Sequence, residues 1–174
     1  SLGALSYARG EEAAVDYAWA RDVVLVAAAG NEASDALFYL AAHAHVIGVA
    51  ATTAADTRAS FSSYGPFVAV SAPGVSIYST LPHATYGYLS GTSMAAPHVA
   101  GLAALLWATG HYSTAQAVID RITSTADRIG GTGTYWQYGR INAYAAVAGL
   151  PVATTVDGGH NVLGATEVKT AWYF

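Results

Sequence analysis

Apolar residues cluster along the chain in short runs that alternate with longer segments of mixed character. Two runs, at 23–28 (VVLVAA) and 46–51 (VIGVAA), are almost wholly apolar, a pattern typical of strands buried on both faces of a parallel sheet. Further strands are predicted at 67–71, 76–80 and 86–89. The last two form a hairpin, because turn residues separate them.

Helical periodicity predicts four helices around these strands. The first covers 11–21 and has acidic residues in its first turn, and the longest covers 92–108. Ser113 and Gln116 have the spacing of a capping box for the third helix, and Asn142 is the expected N-cap of the short fourth helix. Strands that alternate with helices predict an α/β fold with a largely parallel sheet and helices on both faces. Because the chain opens where a strand is expected, we expect the sheet to be incomplete at its N-terminal side.

Composition is that of a globular domain and argues against several classes of partner. The 174 residues are 53% hydrophobic and only 10% charged, which provides ample apolar material for a core. The net charge is −4 and the basic residues are scattered singly, so we expect no nucleic-acid partner. The longest apolar stretch, 94–109, is shorter than the roughly 20 residues of a membrane span, so we expect no membrane association. The absence of cysteine excludes disulfides and thiolate metal sites.

The segment 90–101 (SGTSMAAPHVAG) places a serine hydroxyl among small residues where the longest helix begins. At that place Ser93 gains the positive end of the helix dipole and the unpaired N–H groups of the first turn, which stabilise a negative charge developing beside it. The ordinary alternative is that Ser93 or Thr92 only caps the helix, as most serines in front of helices do. Local chemistry alone favours the cap.

A resemblance to a known family reverses that balance. Residues 91–101 are similar, almost residue for residue, to the nucleophile block of the subtilases, the subtilisin-like serine proteases. Further matching segments lie at 59–65, 71–75, 131–136 and 139–143. The resemblance is greatest to the thermitase-like branch, and it implies that residues 1–150 are the C-terminal half of a subtilisin-like catalytic domain in a secreted, extracellular protein. Residues 151–174 are interpreted as a C-terminal extension, either the opening of another domain or a crossing strand.

The resemblance also implies roles for particular residues. Ser93 is the expected nucleophile, and the side-chain amide of Asn31 is expected to donate to the oxyanion together with the backbone N–H of Ser93. Taken alone, Gly30-Asn31 is more often a turn. An extended substrate is expected to pair with the backbone of the first residues, as an added strand. The expected substrate-binding residues are Ser1, Leu2, Gly3, Ala27, Ala28, Ala29, Gly30, Phe38 and Thr92.

Phe38 departs from the family pattern. Relatives often have a small or polar residue followed by Tyr-Pro, whereas this chain has Phe38-Tyr39-Leu40. Two interpretations stay open: the Phe38 ring makes the pocket for the residue before the scissile bond shallower, or it packs outward in a loop.

The family's catalytic Asp and His motifs do not occur in this sequence. A serine hydroxyl is a weak nucleophile until a histidine takes its proton and a carboxylate orients that histidine. We therefore expect an N-terminal half of the protease domain to supply both. An internal triad of Ser93, a later aspartate and His160 is disfavoured, because Ala95 stands where the nucleophile-elbow pattern requires glycine. The rival hypothesis is a catalytically incomplete fragment that binds peptides or is merely structural.

Peptide hydrolysis by acyl transfer requires no cofactor. The resemblance leaves room for structural calcium near residues 41–46, held by carbonyl oxygens. His43 and His45 have no third metal ligand nearby in the sequence, so we interpret them as packed or solvated side chains. The expected partners are a polypeptide substrate, the N-terminal half and, by resemblance, a propeptide.

Overall fold

A four-stranded parallel sheet lies at the centre of the computed structural model, which describes residues 3–148 and 150. The elements of this part of the chain are α1 (Arg9–Trp19), β1 (Leu25–Ala28), β2 (Val46–Thr52), β3 (Val70–Pro73), β4 (Ile77–Leu81), β5 (Thr85–Leu89), α2 (Thr92–Ala108), α3 (Ala115–Ser124), β6 (Gly139–Arg140) and α4 (Ala143–Val147). The order of strands across the sheet is β1-β2-β3-β6, and every neighbouring pair is parallel. The predicted α/β class is confirmed.

The longest helix, α2, packs across β1, β2 and β3. Its residues Val99, Leu102 and Leu106 are fully buried in one core with Val49 of β2 and Val70 of β3, and this core extends to α3 and α4. Each such apolar side chain contributes about 1.5–3 kcal/mol relative to an exposed position. The small alanines of α2 allow the helix to pack closely on the sheet, and its first turn is joined to the end of β1 by the hydrogen bond from the Gly30 N–H to Thr92.

Both faces of the sheet are covered, as the apolar run at 46–51 predicts. Val49 and Ala51 of β2 join the α2 core, whereas Ala50 between them packs with Trp136 on the opposite face. Position 48 of the same strand is occupied by glycine, and a side chain at this position would collide with the carbonyl oxygen of Phe67.

The predicted boundaries are correct for α2 and for the start of α4, and they are shifted in most other elements. Helix α1 begins two residues before the predicted 11–21, and the strand predicted at 67–71 lies instead at Val70–Pro73. Asn142 caps α4 as predicted, with its Oδ1 atom accepting from the Ala145 N–H at 2.8 Å.

The capping box predicted for α3 is wrong. Thr114, not Ser113, is the N-cap, and its hydroxyl oxygen accepts from the Ala117 N–H at 3.2 Å. A tertiary contact explains the difference. The Asp22 carboxylate, from a distant loop, accepts a hydrogen bond from the Ala115 N–H at 3.0 Å and so binds the first turn of α3.

An ion-pair network fixes β6. The Arg140 guanidinium contacts Asp56 at 2.6 Å and Asp127 at 2.5 Å. The Asn142 side-chain amide donates to Asp127 at 2.9 Å. This hydrogen bond, followed by the one from Arg140, lowers the pKa of Asp127 below its usual 3.8.

The strands β4 and β5 form a separate antiparallel hairpin directly before α2. Tyr78 lies opposite Tyr88, and Ile77 lies opposite Leu89. Since side chains alternate between the two faces of a strand, the hairpin has one face toward α2 and one face away from it.

Several predictions concern residues outside those described. Ser1, Leu2, His160 and the whole extension at 151–174 belong to this group. Among residues 3–148 and 150, no helix has both the length and the apolar character that crossing a membrane requires.

Candidate active site

Ser93 lies in the first turn of α2, at the second helical position. The N-cap of this helix is Gly91, so neither Ser93 nor Thr92 has the capping role of the ordinary alternative. Ser93 is only partly buried and borders two concave spaces, one beside the hairpin and one beside the end of β1. A nucleophile at this place has access to a substrate and lies at the positive end of a helix of 17 residues.

Asn31 follows β1 by three residues and faces the start of α2. Its Oδ1 atom accepts hydrogen bonds from the Thr92 N–H at 2.9 Å and from the Thr92 hydroxyl at 3.0 Å. A backbone N–H can only donate, so the oxygen of the amide must be the atom that faces Thr92. The Nδ2 atom is therefore turned away from Thr92. Within the described residues it donates to no protein group, which leaves its two hydrogens for a ligand.

Thr92 connects the two candidate catalytic residues. Its side chain is fully buried, and besides donating to Asn31 its hydroxyl oxygen accepts from the Gly30 N–H at 3.2 Å. We predicted substrate binding for Thr92, and it does border the cleft described next, but its side chain orients Asn31. Sequence alone does not reveal this role, because Asn31 and Thr92 are 61 residues apart and meet only through the packing of α2 on β1.

A cleft of about 250 Å³ lies on one side of Ser93. It brings together seven predicted site residues and one residue to which we assigned no role, Glu32. The lining consists of Gly3, Ala28, Gly30, Asn31, Glu32, Phe38, Thr92 and Ser93. Glu32 is its only charged member, and its carboxylate accepts from the Ser63 hydroxyl at 3.2 Å. Ala27 and Ala29 are buried and do not border this cleft.

The Phe38 ring lies across this cleft. A side chain added to Gly3 would collide with the ring, and a Cβ at Gly30 would lie 3.1 Å from it. Phe38 thus fills the space between the two glycines and does not pack outward. The Ala4 and Tyr39 backbones bond to each other in both directions, and the Tyr39 N–H donates to the Ala4 oxygen at 2.8 Å. This bridge holds the segment of Gly3 against the loop of Phe38.

A second groove, of about 200 Å³, lies on the other side of Ser93, between the hairpin and α2. Its lining is mostly apolar and includes Ile77, Tyr78, Leu81, Leu89, Ser93, Met94 and Pro97. Ser93 therefore stands between two grooves, as a residue that attacks the middle of an extended chain would.

The two histidines considered as metal ligands have other partners. His43 is buried, with its Nε2 atom 3.1 Å from a Glu11 carboxylate oxygen, and His45 stacks on Trp19 with ring centroids 4.4 Å apart. In the part of the chain that the structure describes, no three His, Cys, Asp or Glu side chains form a metal-binding cluster. The interpretation as packed side chains agrees with these contacts.

The comparisons with known proteins all find subtilases. The model of the subtilase family (Peptidase_S8) matches residues 1–148. Thermitase from Thermoactinomyces vulgaris is 52% identical over 147 residues, which are 84% of this chain and 52% of thermitase. Subtilisin DY from Bacillus licheniformis is 46% identical over 150 residues, 84% of this chain and 54% of that protein. The chain thus spans about half the length of these relatives.

A solved structure agrees with the sequence comparison. A protease from Pseudoalteromonas arctica PAMC 21717 superimposes with a TM-score of 0.77 at 30% identity, over 86% of this chain and 50% of that one. The fold is therefore subtilisin-like, as the resemblance implied. By its sequence and its fold, this chain belongs to the subtilase family.

Proposed function

We propose that this chain supplies the nucleophile and the oxyanion hole of a secreted serine endopeptidase, whose Asp and His come from an N-terminal half of the domain. The observation that carries the proposal is the orientation of Asn31. Thr92 holds the amide oxygen, so the amide nitrogen is presented at the edge of the cleft that Ser93 borders. A turn residue would not need a buried partner in the nucleophile's own helix.

The chemistry follows from these positions. A histidine accepts the Ser93 proton while the serine oxygen forms a bond to the carbonyl carbon, and the carbonyl oxygen becomes negative. Nδ2 of Asn31 and the Ser93 N–H then donate to that oxygen, and the N-terminus of α2 stabilises its charge. The histidine returns the proton to the leaving amine, the carbon–nitrogen bond breaks, and an ester on Ser93 remains. Water hydrolyses the ester by the same sequence of proton transfers.

The open side of β1 is where we propose that the N-terminal half binds. In the described residues β1 pairs with β2 alone, so it forms an edge of the sheet. The Ala29 N–H bonds to Val49 of β2, and strand alternation then directs the N–H groups of Val24 and Val26 to the open side. Val23 beside them is 44% exposed. An apolar, unpaired edge of this kind favours the addition of another strand.

Two grooves with Ser93 between them support a polypeptide substrate. The backbone near Gly3 would pair with the extended substrate, and the Phe38 ring would limit the depth of the pocket for the residue before the scissile bond. The proposal also includes an extracellular location and a propeptide partner, and membership of the family is what supports these two points.

Calcium is proposed only as a structural addition. The described residues contain no cluster of three acidic or histidine ligands, so an ion near residues 41–46 would depend on carbonyl oxygens. A thermal unfolding midpoint that is equal in calcium and in EGTA would contradict it.

The decisive experiment is labelling with a fluorophosphonate, which reacts with activated serines. We expect labelling at Ser93 only after an N-terminal half that carries Asp and His is added, and no labelling of a Ser93→Ala variant. Labelling of the isolated chain would show that the base is already present. If Ser93 is not labelled after the addition of any N-terminal half that carries Asp and His, the noncatalytic alternative is favoured.

A further inference from the structure

His43 is buried between α1 and the loop of Phe38, and it lines neither of the two grooves beside Ser93. Only 3% of its side chain is exposed, and its Nε2 atom lies 3.1 Å from a carboxylate oxygen of Glu11. A carboxylate can only accept, so Nε2 carries a hydrogen and is the donor. Hydrogen bonds to a charged group are shorter and stronger than those between neutral groups. The Glu11 carboxylate therefore fixes the His43 ring against α1.

Two tyrosine rings pack against the His43 ring. The Tyr39 centroid lies 5.1 Å from that of His43, and the Tyr7 centroid lies 5.7 Å from both. Tyr7 and Tyr39 meet edge to face, an arrangement that is favourable for aromatic rings. Since three rings in mutual contact restrict one another's rotamers, the orientation of Tyr39 depends on the position of His43. We call Glu11, Tyr7, Tyr39 and His43 the His43 cluster.

Tyr39 connects the His43 cluster to the cleft. Its N–H donates to the Ala4 oxygen at 2.8 Å, and its own oxygen accepts from the Ala4 N–H. The residue before Ala4 is Gly3, where an added side chain would collide with the Phe38 ring. Phe38 in turn directly precedes Tyr39. The Tyr39 backbone therefore joins the segment beside the Phe38 ring to the ring's own loop, and the Tyr39 side chain joins both to the cluster.

The loop of Phe38 is supported from its C-terminal side. Residues 35–37 in front of Phe38 are exposed, whereas the His43 side chain behind it is buried. The Phe38 oxygen accepts from the Ala42 N–H at 3.0 Å. The Leu40 oxygen accepts from the His43 N–H at 3.1 Å. This part of the chain thus forms a compact turn, with the Phe38 ring at one end and His43 at the other.

We propose that His43 is a positioning residue: by way of Tyr39 it holds the Phe38 ring across the cleft, and so it restricts the side chain that a substrate can place before the scissile bond. The restriction of the substrate rests on the proposed function, whereas the position of the ring does not. Glu11 acts one step further back, because it holds His43. Loss of the Glu11 carboxylate frees the His43 ring, loosens Tyr39 and lets the Phe38 ring leave the cleft.

The first test observes the Phe38 ring in the chain itself and needs no catalytic base. Phe38 is replaced by 4-fluorophenylalanine, and its fluorine NMR signal is compared with and without the change Glu11→Ala. We expect Glu11→Ala to move the signal toward its value in the urea-unfolded chain, because the ring leaves its packed position. The conservative variant Glu11→Gln keeps an acceptor for the His43 Nε2–H and should restore the original signal. Asp16→Ala removes an exposed carboxylate from the same helix and is the matched control, which should not move the signal.

A second variant interrupts the path at its middle. Tyr39→Leu removes the ring that contacts His43 and keeps the backbone bridge to Ala4, so we expect the same movement of the fluorine signal. An unchanged signal in either Glu11→Ala or Tyr39→Leu would overturn the proposal, and so would an equal movement in Asp16→Ala. Circular dichroism checks the fold of each variant, and if one of the two is misfolded the other decides.

The consequence for the substrate is measured in an enzyme completed by an N-terminal half. We expect Glu11→Ala to raise kcat/KM for a peptide anilide with Phe before the scissile bond about threefold relative to one with Ala, because the ring is displaced. In a Phe38→Gly background, Glu11→Ala should leave this ratio as it is, since the ring through which it acts is absent. A merely structural role would lower kcat/KM equally for both anilides, and that result would refute the role in specificity.

These measurements separate the inference from the proposed function. If the completed wild type cleaves neither anilide, the proposed function fails, and the fluorine signal alone decides whether His43 positions the ring. If the completed enzyme is active but Glu11→Ala shifts the ratio equally with and without the Phe38 ring, the role of His43 fails and the proposed function stands.

Discussion

At the scale of single residues, Thr92 is the side chain that links Asn31 to the helix of Ser93. The Thr92 hydroxyl accepts a hydrogen bond from the Gly30 N–H and donates one to Asn31. One buried hydroxyl therefore joins the end of β1 to the start of α2. Loss of the proposed oxyanion donor, in Asn31→Leu, is expected to lower kcat of the completed enzyme by about 10²–10³, which is the loss known for the asparagine of subtilisin. Replacement of Thr92 should lower kcat less than replacement of Asn31 does, because Thr92 acts on the reaction only by orienting Asn31.

Replacement of Thr92 by valine tests that positioning role. Thr92→Val keeps the shape but leaves the buried Gly30 N–H without an acceptor, which costs about 1–3 kcal/mol of the free energy of unfolding. In the completed enzyme we expect kcat to fall about tenfold with little change in KM, since one of the two bonds that orient Asn31 is lost. Thr92→Ser retains the hydroxyl and should restore kcat. A valine variant with wild-type kcat would show that the backbone bond alone orients Asn31.

Phe38 determines the depth of the cleft in the structure, and its removal should change substrate preference. With Phe38→Gly we expect kcat/KM for a peptide anilide with Phe before the scissile bond to rise about tenfold relative to one with Ala, because the space between Gly3 and Gly30 opens. Leu37→Gly is the matched control, since Leu37 is 51% exposed and belongs to the same loop. If the preference stays unchanged, or shifts equally in the control, the pocket interpretation fails.

At the scale of elements, β1 and β6 stand at opposite edges of the sheet and differ in how they are held. Arg140 of β6 is bound by Asp56 and Asp127, whereas β1 has an open side with unpaired N–H groups in the described residues. The β6 edge is therefore anchored by charges, and the β1 edge is the one to which we propose that another strand adds.

The open edge of β1 can be tested without touching its existing pairing. The Val26 N–H faces away from β2, so Val26→Pro removes a donor only on the open side. We expect the proline variant to lose complementation by an N-terminal half, measured as fluorophosphonate labelling of Ser93, while Val26→Ala keeps it. Normal labelling of a folded proline variant would place the N-terminal half elsewhere.

The network around Asp127 predicts a pH dependence of stability. Its folded-state pKa is lowered, so its contribution to stability is present above the ordinary value of 3.8 and is lost as the pH falls through the lower, folded-state value. The difference in the free energy of unfolding between wild type and Asp127→Asn should therefore be largest near neutral pH and shrink in acid. The difference is small, because Asp127 is 37% exposed. Urea unfolding over a pH series measures it, with Asp35→Asn as a control outside the network.

At the scale of the whole molecule, the described residues form a core on both faces of a sheet and leave its β1 edge unpaired. We expect thermal unfolding of the isolated chain to be poorly cooperative, and the midpoint to rise with the concentration of an added N-terminal half, since binding to the folded state stabilises it by mass action. A cooperative, monomeric transition that does not respond to the added half would contradict this.

The sequence by itself determined the α/β class, the extent of α2 and the family, because continuous apolar runs, a long Ala-rich helix and the block at 91–101 are local patterns. Only the tertiary structure decided the start of α3, where Asp22 contributes from a distant loop, and the position of Phe38 between two glycines. It alone also decided the orientation of Asn31, which depends on a hydrogen bond across 61 residues. Local patterns report the backbone preferences and burial of a segment. The direction of a side chain is set by the partners that packing brings to it.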